Sequence, residues 1–538
     1  SSHAQPSLRP QRPLPLGEGL ARFAPPSMAR AAALAILFAS ALARAAAHDW
    51  NCFVFRAKTS MKHPFSNSAI SSMRRHLLRN LDLDGTGANM ASPGLTPALS
   101  SLGIGINGRG YRYDWMRDSA LIMIALQKVL DSPIGKVGVH GLLTERKVHQ
   151  ILRAYALRQG RTMLKHRDVA HEEPKWTLKS NVPYNKSWCR PQTDGPGLRA
   201  MALMTFANRT HFKTGISDSY KLHLWDKIKF DLDWLAQSSN IGKPTCDLWE
   251  ETSDTNFFWN RMTMRAALLM GHRFAQDMGD DGRSGRYLEA VQQYIRNPIK
   301  SHHQQLEKGH IYLTQCSSIP GQHQKCRSMG KNFDGAVILA LIHSGWMDTP
   351  SIEGASLFPA HLPTASAVAN TVRVQNEASC KAYFMNRLDS KRGIPGVLYG
   401  RYPGDVYGGG NPWVLTTAAL ASLLYQAAQA VTKGAALTSE QVLAWQDALQ
   451  HQHFEGHASE FIAAGDSVLI RLRHHVEKHT RGWHLYEQID KWTGKQTNAR
   501  DLSWSYAEVL SALRERDIAW QLLERDTENH LEQSSLLL

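Results

Sequence analysis

The amino-acid sequence predicts an all-α fold. Apolar residues recur with a helical period in about a dozen segments, whereas the two-residue alternation of strands is scarce. No alternation of strand and helix segments appears, which argues against a parallel sheet. About a dozen helices can form a bundle, a solenoid or a double-ring α/α barrel. Periodicity does not choose among these three, and no short-period repeat is visible.

The predicted helices begin near Ser68, and an apolar helix then follows the segment Tyr111–Asp118 and ends near Leu130. Further helices are predicted at about 144–160, 196–209, 217–236, 256–279, 284–297, 331–344, 364–386, 413–433, 439–450, 456–477 and 500–514. The loops between them are long and rich in Gly, Pro, Trp and charged residues. Such loops on a helical scaffold are where binding residues are expected.

The segment 28–47 resembles a signal peptide. It has a basic start after Met28, an apolar run at 31–43 that is too short to span a membrane, and small residues at 45–47. We expect cleavage after Ala47, or alternatively after Ala45, and a secreted mature protein. Residues 1–27 lack methionine and are rich in Pro and Arg, and we interpret them as an artefact upstream of the true start.

Composition narrows the function classes. With 538 residues, 43% hydrophobic residues and 15 tryptophans, the chain is typical of a globular protein. The formal charge of +15 is scattered rather than clustered, and no nucleic-acid motif appears, so we expect no nucleic-acid partner. No segment after residue 47 is apolar enough to span a bilayer, so we expect no membrane partner.

The cysteine pattern favours disulfides over a metal site. Export favours disulfides, and six cysteines allow fifteen pairings. Cys316 and Cys326 flank a loop rich in Pro, Gly and Ser, and they are the pair we expect first. No cysteine pair has the C-x-x-C spacing of zinc sites, so we expect neither a metal nor a cofactor.

One acidic run organises the functional hypothesis. Thr245–Trp259 holds the carboxylates Asp247, Glu250 and Glu251 among five large aromatic or aliphatic residues. If this run is helical, the spacing places all three acids on one face. Crowded like charges and apolar neighbours raise the pKa of a carboxyl group, which suits a general acid. The alternative interpretation is a solvated acidic turn.

Five loops share one composition, in which aromatic residues accompany Arg, Asp or Glu shortly before a helix. These loops are Tyr111–Asp118, Ser187–Arg199, Gly400–Trp413, Arg481–Gln488 and Ala499–Tyr506. Sugar rings stack on aromatic faces, and vicinal hydroxyls match the hydrogen-bonding geometry of arginine and carboxylate groups. A single loop of this kind is equally well explained as a helix cap with a packed aromatic ring. Five such loops with one composition, however, indicate a carbohydrate-binding site.

At these loops the sequence resembles glycoside hydrolase family fifteen, the inverting, exo-acting glucoamylases. The blocks Y-x-Y-x-W-x-R-D-S, S-W-x-R-P-Q-x-D-G-P-x-L-R-A, D-L-W-E-E, G-R-Y-P-x-D-x-Y and A-R-D-L-x-W-S-Y occur in the family's order and span roughly 91–510. The resemblance implies an (α/α)6 barrel of six inner and six outer helices. It also implies an α-glucan substrate, and we expect the protein to act as a monomer.

The resemblance implies individual roles. Glu250 is similar to the general acid and Glu487 to the general base, with Asp247 and Glu251 as supporting acids. The remaining implied substrate contacts are Tyr111, Trp115, Arg117, Asp118, Trp188, Arg190, Trp249, Arg401, Tyr407, Trp413 and Trp504. Inversion requires carboxyl groups roughly 6.5–9.5 Å apart. We expect a raised pKa at Glu250 and an ionised Glu487.

The sequence also departs from the family pattern. Cys189 stands where glycine is common, Tyr486 replaces a small residue, and Gly408-Gly409 replaces Tyr-Asn. Because Cys189 and Cys246 each adjoin a site motif, we hypothesise that they bridge two loops at the mouth of the site.

The family resemblance also sets the expected domain organisation and the rival functions. We expect a catalytic domain at 48–520 and a tail at 521–538 without a starch-binding domain. Rival interpretations are another α/α-barrel glycosidase, of the trehalase or dextran-hydrolysing type, or an inactive glucan-binding relative.

Overall fold

The computed structural model describes Cys52, Phe55 and residues 63–93, 110–130, 145–209, 218–306, 309–345, 362–479 and 481–536. The segments 1–27 and 28–47, and the predicted cleavage positions, lie outside these described residues. All described residues belong to one compact unit that spans 51–538.

The described residues are mainly helical, as predicted. The helices are α1 (Asn67–Leu78), α2 (Met116–Leu130), α3 (Glu145–Lys165), α4 (Asp194–Asn208), α5 (Asp218–Leu235), α6 (Ser238–Ile241), α7 (Phe258–Asp277), α8 (Asp281–Ala290), α9 (Arg296–Lys300), α10 (Gln324–Ser328), α11 (Ala336–Ser344), α12 (Ser366–Ala382), α13 (Phe384–Lys391), α14 (Val414–Thr432), α15 (Ser439–Leu449), α16 (Ala458–His479) and α17 (Ser503–Leu536). A π-helical segment at Val291–Ile295 joins α8 to α9, and short 3-10 turns lie at Leu83–Gly85, Lys331–Phe333, Leu362–Thr364 and Tyr407–Gly409.

The described strands are short and pair only locally. They are β1 (Asp114–Trp115), β2 (Lys175–Trp176), β3 (Thr245–Cys246), β4 (Ser253–Asp254), β5 (His303–Gln305), β6 (Ile311–Leu313), β7 (Gln488–Ile489) and β8 (Gln496–Thr497). They form four antiparallel two-stranded sheets, β1 with β2, β3 with β4, β5 with β6 and β7 with β8. These pairs brace the loops and do not form a layer of the fold.

Six helices close into a ring. Each packs against the next in the order α2, α4, α7, α11, α14 and α17, and α17 packs back against α2. The helices α1, α3, α5, α8, α12 and α16 come between successive ring helices along the chain and form the outer layer. The protein is therefore an (α/α)6 barrel, which is the third of the architectures that periodicity left open.

Burial distinguishes the two layers. In α11 every residue except His343 is buried, and α14 is buried along most of its length. Outer helices such as α3 bury one face only, as expected for surface helices. The expectation that no segment after residue 47 is apolar enough to span a membrane is wrong for α14, which is long and apolar enough to do so. Most of α14 is buried inside the protein, as is typical of a core helix.

The last helix is longer than the predicted 500–514. No glycine or proline occurs between Ser503 and Leu536, so no residue stops the helix where its apolar period fades.

Three disulfides connect distant parts of the chain. Cys316–Cys326 is confirmed as a pair, and so is the hypothesised bridge Cys189–Cys246. The third bridge joins Cys52 to Cys380 on α12.

The ring directs its functional loops to one end. The segments that hold the predicted site residues precede or begin α2, α4, α7, α14 and α17, so they meet at the N-terminal ends of the ring helices. Backbone hydrogen bonds connect these segments. The N–H of Val414 donates to the carbonyl of Glu487 (3.1 Å), and that of Ile489 donates to the carbonyl of Pro412 (2.9 Å). The loops are thus held against one another rather than independently.

Candidate active site

The acidic run is a hairpin with a tight turn and not a helix. Thr245 pairs with Asp254 and Cys246 with Ser253. Within the turn, Asp247 Oδ1 accepts hydrogen bonds from the backbone N–H groups of Glu251 and Thr252, both at 2.9 Å. This side-chain cap competes with helix formation, which the spacing of the acids could not reveal.

The expectation that the three acids share one helical face is therefore wrong. Glu250 takes a left-handed backbone conformation, with φ at 64°. As a result, Glu250 and Glu251 point to different partners. The partners of Glu250 are Trp115, Arg117 and Trp188. The partners of Glu251 are Lys331, Arg401 and Tyr402.

Three donors fix the carboxyl group of Glu250. Its Oε1 accepts from the Trp115 indole N–H and from Arg117 Nη2, each at 3.0 Å. Its Oε2 accepts from the Trp188 indole N–H at 2.8 Å. The side chain is 13% exposed, so the carboxyl group reaches the pocket edge. Because Oε2 has a single donor, it retains a lone pair that can carry a proton.

Glu487 is fully enclosed. Tyr111 donates its hydroxyl to Oε1 at 2.5 Å, and Asn498 Nδ2 donates to Oε2. Burial raises the pKa of Glu487 to about 8, although the Tyr111 hydrogen bond and the charge of Arg401 act in the opposite direction. This raised pKa contradicts the expectation that Glu487 stays ionised, because the sequence did not show how deeply this group is buried.

Glu250 and Glu487 lie in loops that precede ring helices on opposite sides of the ring. Glu250 precedes α7 and Glu487 precedes α17, and these helices are three positions apart in either direction around the six-membered ring. The rings of Trp115 and Tyr111, which donate to Glu250 and Glu487 respectively, lie 5.9 Å apart. Neighbouring rings thus connect the two carboxyl groups.

A charge cluster holds Glu251. Its Oε1 pairs with Arg401 Nη2 at 2.7 Å and its Oε2 with Lys331 Nζ at 2.8 Å, while the Tyr402 hydroxyl also donates to Oε2. Burial raises the pKa of Glu251, but the charges of Arg401 and Lys331 outweigh it, so the pKa falls below its usual value. Arg401 in turn binds Asp405 through Nε at 2.8 Å.

Asp247 lies behind this cluster. Its Oδ2 pairs with Lys331 Nζ at 2.5 Å, and both side chains are fully buried. Its carboxylate therefore supports the turn and Lys331, while its carbonyl accepts from the N–H of Glu250 at 3.0 Å.

Aromatic rings form one wall. Trp249 lies 5.6 Å from Trp413, and Tyr407 lies 6.1 Å from Trp413. The Arg401 guanidinium lies 5.0–5.5 Å from the centroids of all three rings. The hydroxyls of Tyr407 and Tyr111 are hydrogen-bonded, so this wall continues to Glu487.

Arg117 and Asp118 form a buried ion pair without a hydrogen bond between them. Arg117 Nη1 donates to Gln192 (3.0 Å) and lies 3.3 Å from Asp194. Its Nε lies 3.4 Å from Asp118 Oδ2, and neither atom has a hydrogen-bond partner among the described residues. Burial raises the pKa of Asp118 to about 7, although the charge of Arg117 lowers it.

The chain is similar to a known protein family and to a solved structure. The profile described as Glycosyl hydrolases family 15 matches residues 72–514. The chain belongs to glycosyl hydrolase family 15. Glucoamylase P of Amorphotheca resinae is 30% identical over 483 residues, which are 86% of this chain and 71% of that protein. A glucoamylase of Blastobotrys adeninivorans is 28% identical over 489 residues, 85% of this chain and 72% of that protein. The solved structure of Hormoconis resinae glucoamylase has a TM-score of 0.63 and 25% identity, and covers 84% of this chain and 73% of that chain.

Arg190, which the sequence predicted as a substrate contact, makes its hydrogen bonds to the loop that holds Trp188. The guanidinium of Arg190 donates hydrogen bonds to Glu173 (2.5 Å) and to the backbone carbonyls of Tyr184 (2.6 Å) and Lys186 (3.1 Å). These bonds brace the loop that presents Trp188. Arg190 therefore lies behind the loop and supports Trp188, which donates to Glu250.

Sequence reasoning missed Lys175. Its ammonium group lies 3.9 Å from the centroid of the Trp188 ring and 4.4 Å from that of Trp115, and it also faces Tyr113 and Tyr184. Burial lowers the pKa of Lys175 to about 8, although the nearby charge of Glu250 raises it. A single lysine between two loops carries no sequence signal, because its partners lie in other blocks.

Two clusters of potential metal ligands occur among the described residues. Cys316 and Cys326 flank His323, but their sulfurs form a disulfide. The second cluster is His76, His484 and Asp501, in which His484 Nδ1 and Asp501 Oδ1 are hydrogen-bonded at 2.7 Å.

Proposed function

We propose that this protein hydrolyses α-1,4-glucans such as starch, glycogen and maltodextrins from their non-reducing ends and releases β-D-glucose by inversion. The chain is an exo-acting glucan glucosidase of the glucoamylase type. Glu250 is the general acid and Glu487 the general base. The observation that supports this proposal is the contact between the donors of the two glutamates: Tyr111 donates to Glu487, Trp115 donates to Glu250, and the rings of these donors lie 5.9 Å apart.

Each carboxyl group is suited to its step. Glu250 delivers its proton to the glycosidic oxygen, and its two indole donors and Arg117 fix the direction of delivery. Glu487 removes a proton from a water molecule that attacks the anomeric carbon from the opposite face. Room for that water requires the two carboxyl groups to be roughly 6.5–9.5 Å apart. Tyr111 orients Glu487 towards the pocket.

The terminal glucose has a set of polar partners. In this proposal the ion pair of Arg117 and Asp118, with Nε and Oδ2 3.4 Å apart, binds vicinal hydroxyls as donor and acceptor. Arg401 and Glu251 offer a second pair of opposite charges on the other side. Trp249, Trp413 and Tyr407 supply flat apolar surface for the sugar ring.

The proposal extends to export and assembly. Three disulfides among the described residues support an oxidising compartment, and therefore a secreted protein. We also propose that the enzyme acts on its α-glucan substrate as a monomer.

A substrate panel tests this function. The purified protein is incubated with maltoheptaose, soluble starch, trehalose and dextran, and product sizes are followed over time. We expect glucose as the first product from maltoheptaose and starch, with little release from trehalose or dextran. Release of maltose or longer products from the start would contradict exo-action on single glucose units. Hydrolysis of trehalose or dextran in preference to maltoheptaose would favour a rival glycosidase, and no hydrolysis at all would favour an inactive relative.

A further inference from the structure

A buried glutamate lies beneath the pocket and has no role in the proposed reaction. Glu508 follows Trp504 by one turn of α17 and is 1% exposed. Its Oε1 accepts hydrogen bonds from the Trp504 indole N–H at 2.7 Å and from His343 Nε2 at 2.6 Å. His343 belongs to α11, so this single oxygen connects two ring helices.

Trp504 and His343, the two donors to Glu508, are each connected to Arg117 by further contacts. The Trp504 ring lies 5.9 Å from the Arg117 guanidinium. The His343 ring meets Trp259 edge-on at 6.2 Å, and the Trp259 indole N–H donates to Asp194 at 2.7 Å. Asp194 Oδ2 lies 3.3 Å from Arg117 Nη1. The orientation of Glu508 is thus transmitted to Arg117 along two chains of contacts.

Arg117 occupies the centre of the catalytic pocket. Its Nη2 donates to Glu250 at 3.0 Å, and its Nε faces Asp118. A displacement of this guanidinium would therefore move the proton donor and the glucose-binding pair together.

Glu508 also interacts with Lys128. A small polar cavity on the far side of Glu508 is lined by Lys128, His343, Ser422, Glu508 and Glu515, among others. The charge of Lys128 interacts with both Glu508 and Glu515. A barrel core ordinarily holds an apolar residue at such a position, whereas this one holds a buried glutamate. This indicates that the hydrogen bonds from Trp504 and His343 to Glu508 have a role in positioning these side chains.

We propose that Glu508 is a positioning residue for glucan hydrolysis. By accepting from Trp504 and His343, it holds the Trp504 ring and Trp259 against Arg117 and Asp194, and so sets the position of Arg117 beside Glu250. This inference rests on the proposed function. A shift of about 1 Å in such a group can lower the rate about 100-fold. We expect its loss to lower kcat/KM by about 10-fold to 100-fold.

The test compares Glu508→Met, which removes the acceptor at similar volume, with Glu508→Gln, which keeps one carbonyl acceptor. Glu515→Met is the matched control, because Glu515 lines the same cavity on the same helix but binds Gln429. We expect Glu508→Met to lower kcat and raise KM for maltose, Glu508→Gln to recover part of the loss, and Glu515→Met to keep both constants near those of the wild type.

Several outcomes overturn the inference. Unchanged kcat and KM in a folded Glu508→Met protein would do so, and so would an equal loss in Glu508→Met and Glu515→Met. If Glu508→Met does not fold, Trp504→Phe removes the same hydrogen bond while it keeps an aromatic ring. This variant should lower kcat/KM about 10-fold, and an unchanged value would contradict the inference. A wild-type protein that does not hydrolyse maltose would instead overturn the proposed function.

Discussion

Tyr111 donates its hydroxyl hydrogen to Glu487, with 2.5 Å between the two oxygens. This bond stabilises the carboxylate form of the proposed base and opposes the burial that raises its pKa to about 8. Because the Tyr111 ring also lies beside Trp115, which donates to Glu250, the same residue contacts the surroundings of both proposed catalytic groups.

The first prediction concerns the pH profile of Tyr111→Phe. Removal of the hydroxyl removes an interaction that lowers the pKa of Glu487, so this pKa rises further. The base is active only as a carboxylate, so the acidic limb of kcat/KM for maltose should move to higher pH. Tyr294→Phe, at an exposed tyrosine, is the control and should leave the limb in place. If the acidic limb of Tyr111→Phe stays in place or moves to lower pH, the Tyr111 hydroxyl does not lower the pKa of the catalytic base.

The second prediction contrasts two arginines. Arg401 binds Glu251 and Asp405, and it lies against three aromatic rings of the pocket. A lysine cannot form these contacts together, so Arg401→Lys should lower kcat/KM for maltose by about 100-fold.

Arg190→Lys is the matched change, because Arg190 braces Glu173 and backbone carbonyls behind the site. It should lower the thermal unfolding midpoint and change kcat/KM less than Arg401→Lys does. Equal losses of kcat/KM in the two variants would show that both arginines act on the substrate.

The third prediction concerns Lys175. Its ammonium group is attracted to the Trp115 and Trp188 rings, each such contact contributing about 0.5–2 kcal/mol, and both indoles donate to Glu250. Lys175→Met should therefore loosen both indoles and lower kcat/KM by about 10-fold. Lys179→Met, at an exposed lysine of the neighbouring turn, should have no effect. Wild-type kinetics in Lys175→Met would show that the indoles hold their positions without the charge.

The fourth prediction concerns the disulfide that joins two site loops. Cys189 follows Trp188 and Cys246 precedes Asp247, and the bridge closes a span of 57 residues. Chain entropy gives about 4 kcal/mol for such a loop and about 3 kcal/mol for the 10-residue separation of Cys316 and Cys326. The Cys189→Ser/Cys246→Ser variant should lose both stability and activity.

The Cys316→Ser/Cys326→Ser variant serves as the control, and it should lose less stability and keep kcat/KM near that of the wild type. Denaturant unfolding and maltose kinetics on both pairs measure the two effects. Full activity after removal of the first bridge would show that the loops keep their positions by other contacts.

The sequence predicted the helical class and nearly every ring helix, because ring helices are long and apolar. It could not choose a closed ring over a bundle or a solenoid, since closure depends on contacts such as α17 against α2 that no single segment encodes. The family resemblance supplied that choice.

Within the site, the sequence showed the aromatic and acidic blocks but not the orientations of their side chains. The sequence could not show that Asp247 caps a turn or that Glu250 adopts a left-handed conformation. It also missed Lys175 and Lys331, whose partners lie far away along the chain.

The most direct test of the central assignment compares two leaving groups. Maltose needs protonation of its leaving oxygen, whereas fluoride leaves from α-D-glucosyl fluoride with little help from an acid. Steady-state rates of Glu250→Gln and Glu487→Gln are measured on both substrates, with Glu455→Gln at an exposed position as the control. The account predicts that Glu250→Gln loses orders of magnitude on maltose but retains much of the fluoride hydrolysis, while Glu487→Gln loses both. Equal losses on the two substrates in Glu250→Gln, or near-full maltose hydrolysis in either variant, would contradict it.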